Sequence, residues 1–396
     1  MKISVGVFFG GKSTEHEISC ISANQVLNAI DQDKYDVLPI YISKNNEFYC
    51  SNLLFDLSNY PEFINDPAAS LTKVTIYKDG NRVVVAPIKK SLFNNKIGYI
   101  DIAFPVVHGT NVEDGTLAGF LQMLDIPYTS CDVLGGAIGQ DKVVMKDIFK
   151  AEGIPMVDYF VVYQSDFSDK CSEYQKLADK IGYPLIAKPA NLGSSIGIEV
   201  IKTKKEFKEK IENCLTYDFK VVVEKMIAKL KEVNISVIGG IEDCKVSVIE
   251  EVTNGFLDYN KKYMGGSKSS KKIPSKVGCK QEGSKGMAST ARKIPANITK
   301  AQQTKIETIA TKVFKILNAH GCVRIDFMID KSTGKVYCNE INTIPGSLAF
   351  YLWKENGIEF DKECEMLIQN ALRRYAKREK MTYSFETSVL DSYRRK

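Results

Sequence analysis

An unbroken apolar run at residues 3–9 is followed by a helical pattern over 15–30 and a second apolar run at 37–42. Strands buried on both faces read as continuous apolar runs, and amphipathic helices read as a 3.6-residue period. A further buried run, 100–107, precedes a helical pattern at 117–124. Strand and helix in alternation predict a parallel α/β sheet for the first third. The middle reads strand 159–163, helix 168–181, strand 185–188, a glycine loop, strand 198–201, helix 205–214 and strand 221–224, an α+β unit. Alternating strands at 232–239 and 245–251 then lead into a long polar stretch and a helix at 300–318. Runs at 322–329 and 336–341, joined through Ser332-Thr333-Gly334, predict a hairpin. Helices at 348–355 and 360–377 close the fold, and no internal repeat is present.

With 396 residues the chain is too long for one core, which favours two or three domains. Hydrophobic and charged fractions of 44% and 26% exclude a disordered chain. The ten cysteines form no CxxC pair and only three histidines could join them, so a structural zinc site is not expected. Reduced thiols, no secretion signal and no apolar stretch long enough for a membrane span point to the cytoplasm. The net charge of +6 is local: residues 261–293 hold nine Lys and one Arg against the single acid Glu282, and the remainder is slightly acidic. That strip lacks interleaved aromatic residues, which argues against nucleic acid as a partner.

The segment Gly6-Val7-Phe8-Phe9-Gly10-Gly11-Lys12-Ser13 fits the P-loop spelling GxxxxGK[ST]. Val7, Phe8 and Phe9 continue an apolar strand, however, so a strand ending at Phe9 with a glycine turn into a helix is the better reading. The strongest constellation lies in the predicted hairpin. Strand alternation puts Arg324 and Asp326 on one face, and likewise Glu340 and Asn342. Pairing those strands gathers three oxygen ligands of the kind that hold Mg²⁺ on nucleotide phosphates, although an ordinary salt-bridged face would read the same way. Lys188 ends a strand before Asn191-Leu192-Gly193-Ser194-Ser195, a turn able to close over phosphate or simply to reverse the chain. Lys142 begins a helix after Gln140-Asp141. The polar stretch from 256 to 293 is too long for a silent connection; it could cover a triphosphate, bind a polyanion or be plain flexible chain.

Taken together, the chain resembles the D-alanine–D-alanine ligase family of the ATP-grasp superfamily, from Val5 to about Asn370. The resemblance is carried, in order, by Phe9-Gly10-Gly11-Lys12-Ser13-Thr14-Glu15-His16-Glu17-Ile18-Ser19, His108-Gly109-Thr110 with Glu113-Asp114-Gly115-Thr116, and Asp141-Lys142. It continues through Lys188-Pro189 with Gly193-Ser194-Ser195, Asp258-Tyr259 with Lys262-Tyr263, Arg324-Ile325-Asp326-Phe327, and Glu340-Ile341-Asn342-Thr343-Ile344-Pro345-Gly346. The resemblance implies an α/β N-terminal domain (1–134), a central lid (135–230) and a C-terminal domain (231–380) with a basic loop at 253–295, followed by a tail (381–396). ATP would lie between the last two domains. It implies phosphate contacts from Lys142, Lys188, Ser195 and Lys262, and an adenine hinge at Glu224, Lys225, Met226 and Ile227. Glu232 would take the ribose, and Asp326, Glu340 and Asn342 two Mg²⁺, with Mn²⁺ as a substitute. Glu15, with Ser194 and Tyr263, would receive the first D-amino acid's ammonium near His108. Arg324 and the Gly346 N–H would face the oxyanion, with Tyr351 and Leu352 at the acceptor. The implied activity joins amino acids through an acyl phosphate for peptidoglycan synthesis, in a family that often forms homodimers.

Three departures stand out. Tyr351 occupies a position where the family usually has a serine for the acceptor's carboxylate. The segment 264–295 is longer and more basic than usual, and the hinge segment 228–231 reads one residue long. Rival readings are therefore a ligase for D-serine, D-lactate or another amine, and a catalytically silent ATP- or anion-binding protein.

Overall fold

The computed structural model describes residues 2–89, 96–253 and 292–393. Lys262 and Tyr263, with most of the basic segment, lie outside the described residues. Strands among the described residues form three sheets.

In the first sheet β1 (Ile3–Gly10) lies parallel to β2 (Tyr35–Ile42) and to β7 (Ile102–Val106), with α1 (His16–Ala29) as the crossover between β1 and β2. Gly6 to Phe9 are strand residues in register with both neighbours, and Gly10 still pairs with β2, which removes the P-loop spelling from consideration. The sheet is not parallel throughout, contrary to the expectation from alternation. β3 (Phe48–Cys50), β4 (Thr72–Asp79), β5 (Arg82–Pro87) and β6 (Gly98–Ile100) extend it as an antiparallel meander. The physical reason is the connections. Asp79 pairs directly with Arg82 across Gly80-Asn81, a two-residue hairpin that only antiparallel strands can use. The apolar run at 100–107 likewise divides: Asp101 breaks it, and the two halves become β6 and β7.

A short helix, α2 (Tyr60–Phe63), and α3 (Thr116–Met123) pack on this sheet, and α4 (Val133–Gln140) leads to α5 (Lys142–Ala151). Asp141 caps α5, its carboxylate accepting from the N–H groups of Val143 and Val144, and this fixes where Lys142 stands. The second sheet, in the order β10-β9-β11-β8, comprises β8 (Tyr159–Tyr163), β9 (Leu185–Pro189), β10 (Glu199–Ile201) and β11 (Lys220–Lys225). It is covered by α6 (Phe167–Ile181) and α7 (Phe207–Leu215).

The third sheet runs β14-β13-β12-β15-β16, all antiparallel. Its strands are β12 (Leu230–Gly239), β13 (Lys245–Val252), β14 (Arg292–Lys293), β15 (Gly321–Asp330) and β16 (Val336–Asn342). One face, with Val233, Ile235, Val237, Val323, Ile325 and Phe327, buries itself against Ile306, Ala310, Val313 and Phe314 of α8 (Lys300–Ile316). The alternate residues point the other way and are polar, so the two-residue period assigns a core face and a cleft face to one sheet. After the short α9 (Phe350–Lys354), the final helix α10 (Phe360–Arg378) places Leu367, Ile368 and Ala371 in one continuous core with β1, β7 and Trp353.

Candidate active site

Cross-strand register builds the floor of the cleft. Glu250 pairs with Asn234, Asn234 with Asp326, and Asp326 with Glu340, giving one polar row across β13, β12, β15 and β16. Adjacent strands lie about 4.8 Å apart, so the row spans roughly 14 Å. The neighbouring row holds Arg324 opposite Asn342. The predicted hairpin thus gathers the oxygen donors: Asn342 Nδ2 donates to Asp326 Oδ2 at 3.1 Å. Arg324 donates from Nε and Nη2 to the two Asp326 oxygens at 2.7 and 2.8 Å, a bidentate pair along a single strand.

The wall facing this row comes from α5 and β9. Lys142 Nζ donates to Leu192 O at 2.7 Å and stands 3.7 Å from Glu340. Lys188 is buried, donates to Asn339 Oδ1 at 3.1 Å and pairs with Glu224 at 2.6 Å. Glu224 is gripped from the other side by Lys146, also at 2.6 Å. Burial opposes the Glu224 charge, but the two lysines overcome it and hold the carboxyl well below the ordinary range. Lys188, against the same burial, is raised by Glu224 and Glu340 and stays charged. Lys146 was missed in the sequence although it follows Lys142 by one helical turn on α5, the spacing that puts two side chains on one face.

The glycine turn after β9 reaches over to the first sheet. Ser194 and Ser195 take left-handed backbone angles, φ 51° and 61°. The Ser194 hydroxyl donates to the Glu15 carboxylate. Glu15 occupies the N-cap of α1 yet makes no capping bond, because its side chain is directed into the cleft. A Cβ at Gly193 would lie 2.7 Å from Glu15 Oε2, so a larger residue there would displace the Glu15 carboxylate.

His108 is buried, with Nδ1 2.9 Å from Ile344 O and Nε2 3.0 Å from Ser22 Oγ, which in turn accepts from the Ser347 N–H. That chain of donors is consistent with a proton on Nδ1. Burial holds the ring down at about 4, so it is a neutral strut between α1 and the 344–347 turn. Glu113, present in the motif but given no role, accepts from Gly109 N, Thr343 Oγ1 and Ile344 N. Burial first, and the nearby Glu15, push it up to about 7 against those hydrogen bonds. Gly346 lines the cleft beside Arg324.

Of the remaining expected residues, Glu232 and Ser195 line the cleft. Lys225 donates to Gly182 O and Tyr183 O, the Met226 N–H donates to Pro184 O, and Ile227 is half-buried at the end of β11; none of the three is among the described residues lining the cleft. Leu352 is wholly buried in the core and does not enter the cleft, because its neighbour on α9, Tyr351, takes the facing position. The structure adds Asn234, Glu250, Arg292 and Asn339 to the lining. Among the described residues no cluster of three His, Cys, Asp or Glu could hold a metal; the oxygen set consists of two carboxylates and an amide.

A family model described as D-ala D-ala ligase N-terminus matches residues 4–131, and one described as D-ala D-ala ligase C-terminus matches 148–291 and 284–369. The chain belongs to the D-alanine–D-alanine ligase family. It is 38% identical over 393 residues to D-alanine--D-alanine ligase of Thermosipho melanesiensis, covering 98% of each chain. It is 35% identical to that of Geobacillus thermodenitrificans, covering 98% of this chain and 100% of the other. Among solved structures it is similar to the D-alanine-D-alanine ligase from Coxiella burnetii, with TM-score 0.77 and 27% identity over 96% of both chains. It is also similar to the VanG D-Ala:D-Ser ligase from Enterococcus faecalis, with TM-score 0.73 and 27% identity over 94% of this chain and 100% of that one. The three-sheet arrangement is accordingly the ATP-grasp fold of this family. No helix among the described residues is long and apolar enough to cross a membrane.

Proposed function

We infer that this chain is an ATP-dependent, ADP-forming ligase that joins two D-alanine molecules. One observation carries the reading: a polar row on the third sheet faces two lysines and a glycine turn, and that turn touches Glu15 at the start of α1, beside the first sheet. A carboxylate is a poor electrophile, so activation as an acyl phosphate precedes attack by an amine. The γ-phosphoryl of ATP passes to the first substrate's carboxylate, with Lys142, Lys188 and the N–H groups around Ser194 and Ser195 offsetting its charge. Glu15 takes the substrate's ammonium, and Arg324 with the Gly346 N–H receives the tetrahedral oxyanion. Asp326, Glu340 and Asn342 are hard oxygen donors, fit a magnesium ion and would hold it. When bound, magnesium supplies charge neutralisation at the transferring phosphoryl group. D-Alanine is favoured as acceptor because the Thermosipho and Geobacillus relatives carry that activity in their names.

The reading also carries the domain division at 134, 230 and 380, a cytoplasmic homodimer acting on small molecules, and a product destined for peptidoglycan. Its test is ADP release. D-Alanine should stimulate ADP formation with D-alanyl-D-alanine seen by mass, and L-alanine should not. Equal ADP formation with and without D-alanine would sink the assignment.

A further inference from the structure

The acceptor side of the cleft is built around an arginine that sequence reasoning did not single out. Tyr351, expected to donate to the acceptor's carboxylate, donates instead to Glu250 Oε1 at 3.1 Å. Burial, with the Glu250 charge adding to it, raises the phenol above its ordinary value and keeps it a donor. Glu250, only 2% exposed, also accepts from Asn234 Nδ2 at 3.0 Å. Arg292 lies on the edge strand β14 opposite Val252, and so shares their face of the sheet. Its guanidinium carbon sits 4.0 Å over the Tyr351 ring, and Nη1 is 3.5 Å from Glu250 Oε2.

These contacts decide what the guanidinium can do. Stacking engages a face of the planar group, whereas hydrogen bonds to a carboxylate come from its edges. Arg324, the other arginine among the described residues lining the cleft, turns Nε and Nη2 toward Asp326. On the ligase reading, an acceptor amino acid whose amine faces an acyl group beside Arg324 and Gly346 would extend its carboxylate toward Tyr351 and Glu250, which line the same cleft. The like charges repel unless a cation stands beside them.

We propose that Arg292 binds the carboxylate of the acceptor amino acid, with Tyr351 and Glu250 holding the guanidinium in place. This rests on the ligase reading above and deepens it, making the free carboxylate what favours an amino-acid acceptor over an amine that lacks one.

The test is a partition experiment. Hydroxylamine has no carboxylate; its nitrogen attacks the acyl carbon, the bond to the phosphate oxygen breaks, and D-alanine hydroxamate and inorganic phosphate leave. With D-alanine and hydroxylamine competing, the ratio of dipeptide to hydroxamate should fall at least about tenfold in Arg292→Gln, the loss of a charged hydrogen bond to a carboxylate. Arg292→Lys should recover part of the ratio. The preference for D-alanine over D-alaninamide as acceptor should shrink in Arg292→Gln by a similar factor. Because the readout is a ratio, a general loss of activity does not mimic the result. An unchanged ratio and an unchanged D-alanine preference in Arg292→Gln, or in Arg292→Met where the glutamine variant does not fold, would overturn the proposal. Neither dipeptide nor hydroxamate from the unsubstituted chain would instead remove the ligase reading, and this one with it.

Discussion

Glu363 stands on α10 with no exposed surface, and neither carboxyl oxygen finds a hydrogen-bond partner among the described residues. Burial raises it well above the ordinary carboxyl range, with the nearby Cys322 thiol acting against that rise. A group whose folded value lies above its unfolded one contributes stability below the unfolded value, and that contribution fades as pH rises. Above about pH 4.5 the unfolded chain releases this proton and the folded chain keeps it, so stability falls by about 1.4 kcal/mol per pH unit from this residue. His108 has the opposite sign: its value is depressed to about 4, so its contribution is whole above 6.5 and lost as pH falls toward 4. Glu363→Met, which replaces a buried acid by an apolar side chain, is expected to raise stability at pH 8 by roughly 1–4 kcal/mol and much less at pH 4.5. Urea unfolding at both pH values measures it, and a destabilised variant at pH 8 would show that the carboxyl is bonded after all. Neither Glu363 nor Lys146 was legible in the sequence, which offered Lys188 and Glu224 but not their pairing. Each depends on partners far along the chain, and a lone Glu or Lys on a helix reads as a solvated surface residue.

Elements with a strict period were legible, and those defined by their connections were not. Strands β12, β15 and β16 alternate cleanly, and the alternation alone put Arg324, Asp326, Glu340 and Asn342 on one side. The meander β3–β6 escaped notice because β3 and β6 are three residues each, and short helical turns separate β3 from β4. The Gly80-Asn81 turn was the one available signal. The turn after Gly346 could not be read at all. Ser347, Leu348 and Ala349 all take left-handed angles, φ 53°, 52° and 54°, with no glycine among them. Such angles cost non-glycine residues roughly 1–2 kcal/mol each, so packing must impose them. They redirect the chain just after Gly346, which lines the cleft, while Leu348 O accepts from the Cys322 thiol. Ala349→Gly should therefore leave stability unchanged or raise it by up to about 1 kcal/mol, whereas Ala349→Val, β-branched and buried, should cost at least about 2 kcal/mol. Denaturation midpoints of the two variants decide it: a glycine variant less stable than the valine one would refute the backbone assignment.

Across the whole molecule, the cleft exists only because three sheets present different chemistry to one space. The first supplies Glu15 and the His108 strut, the second Lys188 and the turn to Ser194, the third the polar row. Glu340 joins two of these bodies. It pairs with Asp326 across β15 and β16, and its carboxylate lies 3.7 Å from Lys142 at the start of α5. It is half-buried on the polar face of its sheet, so removing it takes away charge more than packing. Glu340→Ala should then reduce D-alanine-stimulated ADP release at least roughly a hundredfold, the scale of losing one preorganised charge contact to a transferring group. The melting temperature should stay within about 4 °C, the change expected of about 1 kcal/mol. The single tryptophan, Trp353, separates a chemical effect from a structural one. It is buried at the junction of the first and third sheets, with Nε1 donating to Ser236 Oγ at 3.0 Å. Its emission should remain that of a buried indole in the variant and shift to the red only on unfolding. Turnover within tenfold of the unsubstituted chain, with the emission unchanged, would mean that Glu340 serves only the ion pair with Lys142 and that the oxygen donors of this hairpin do not form a metal site.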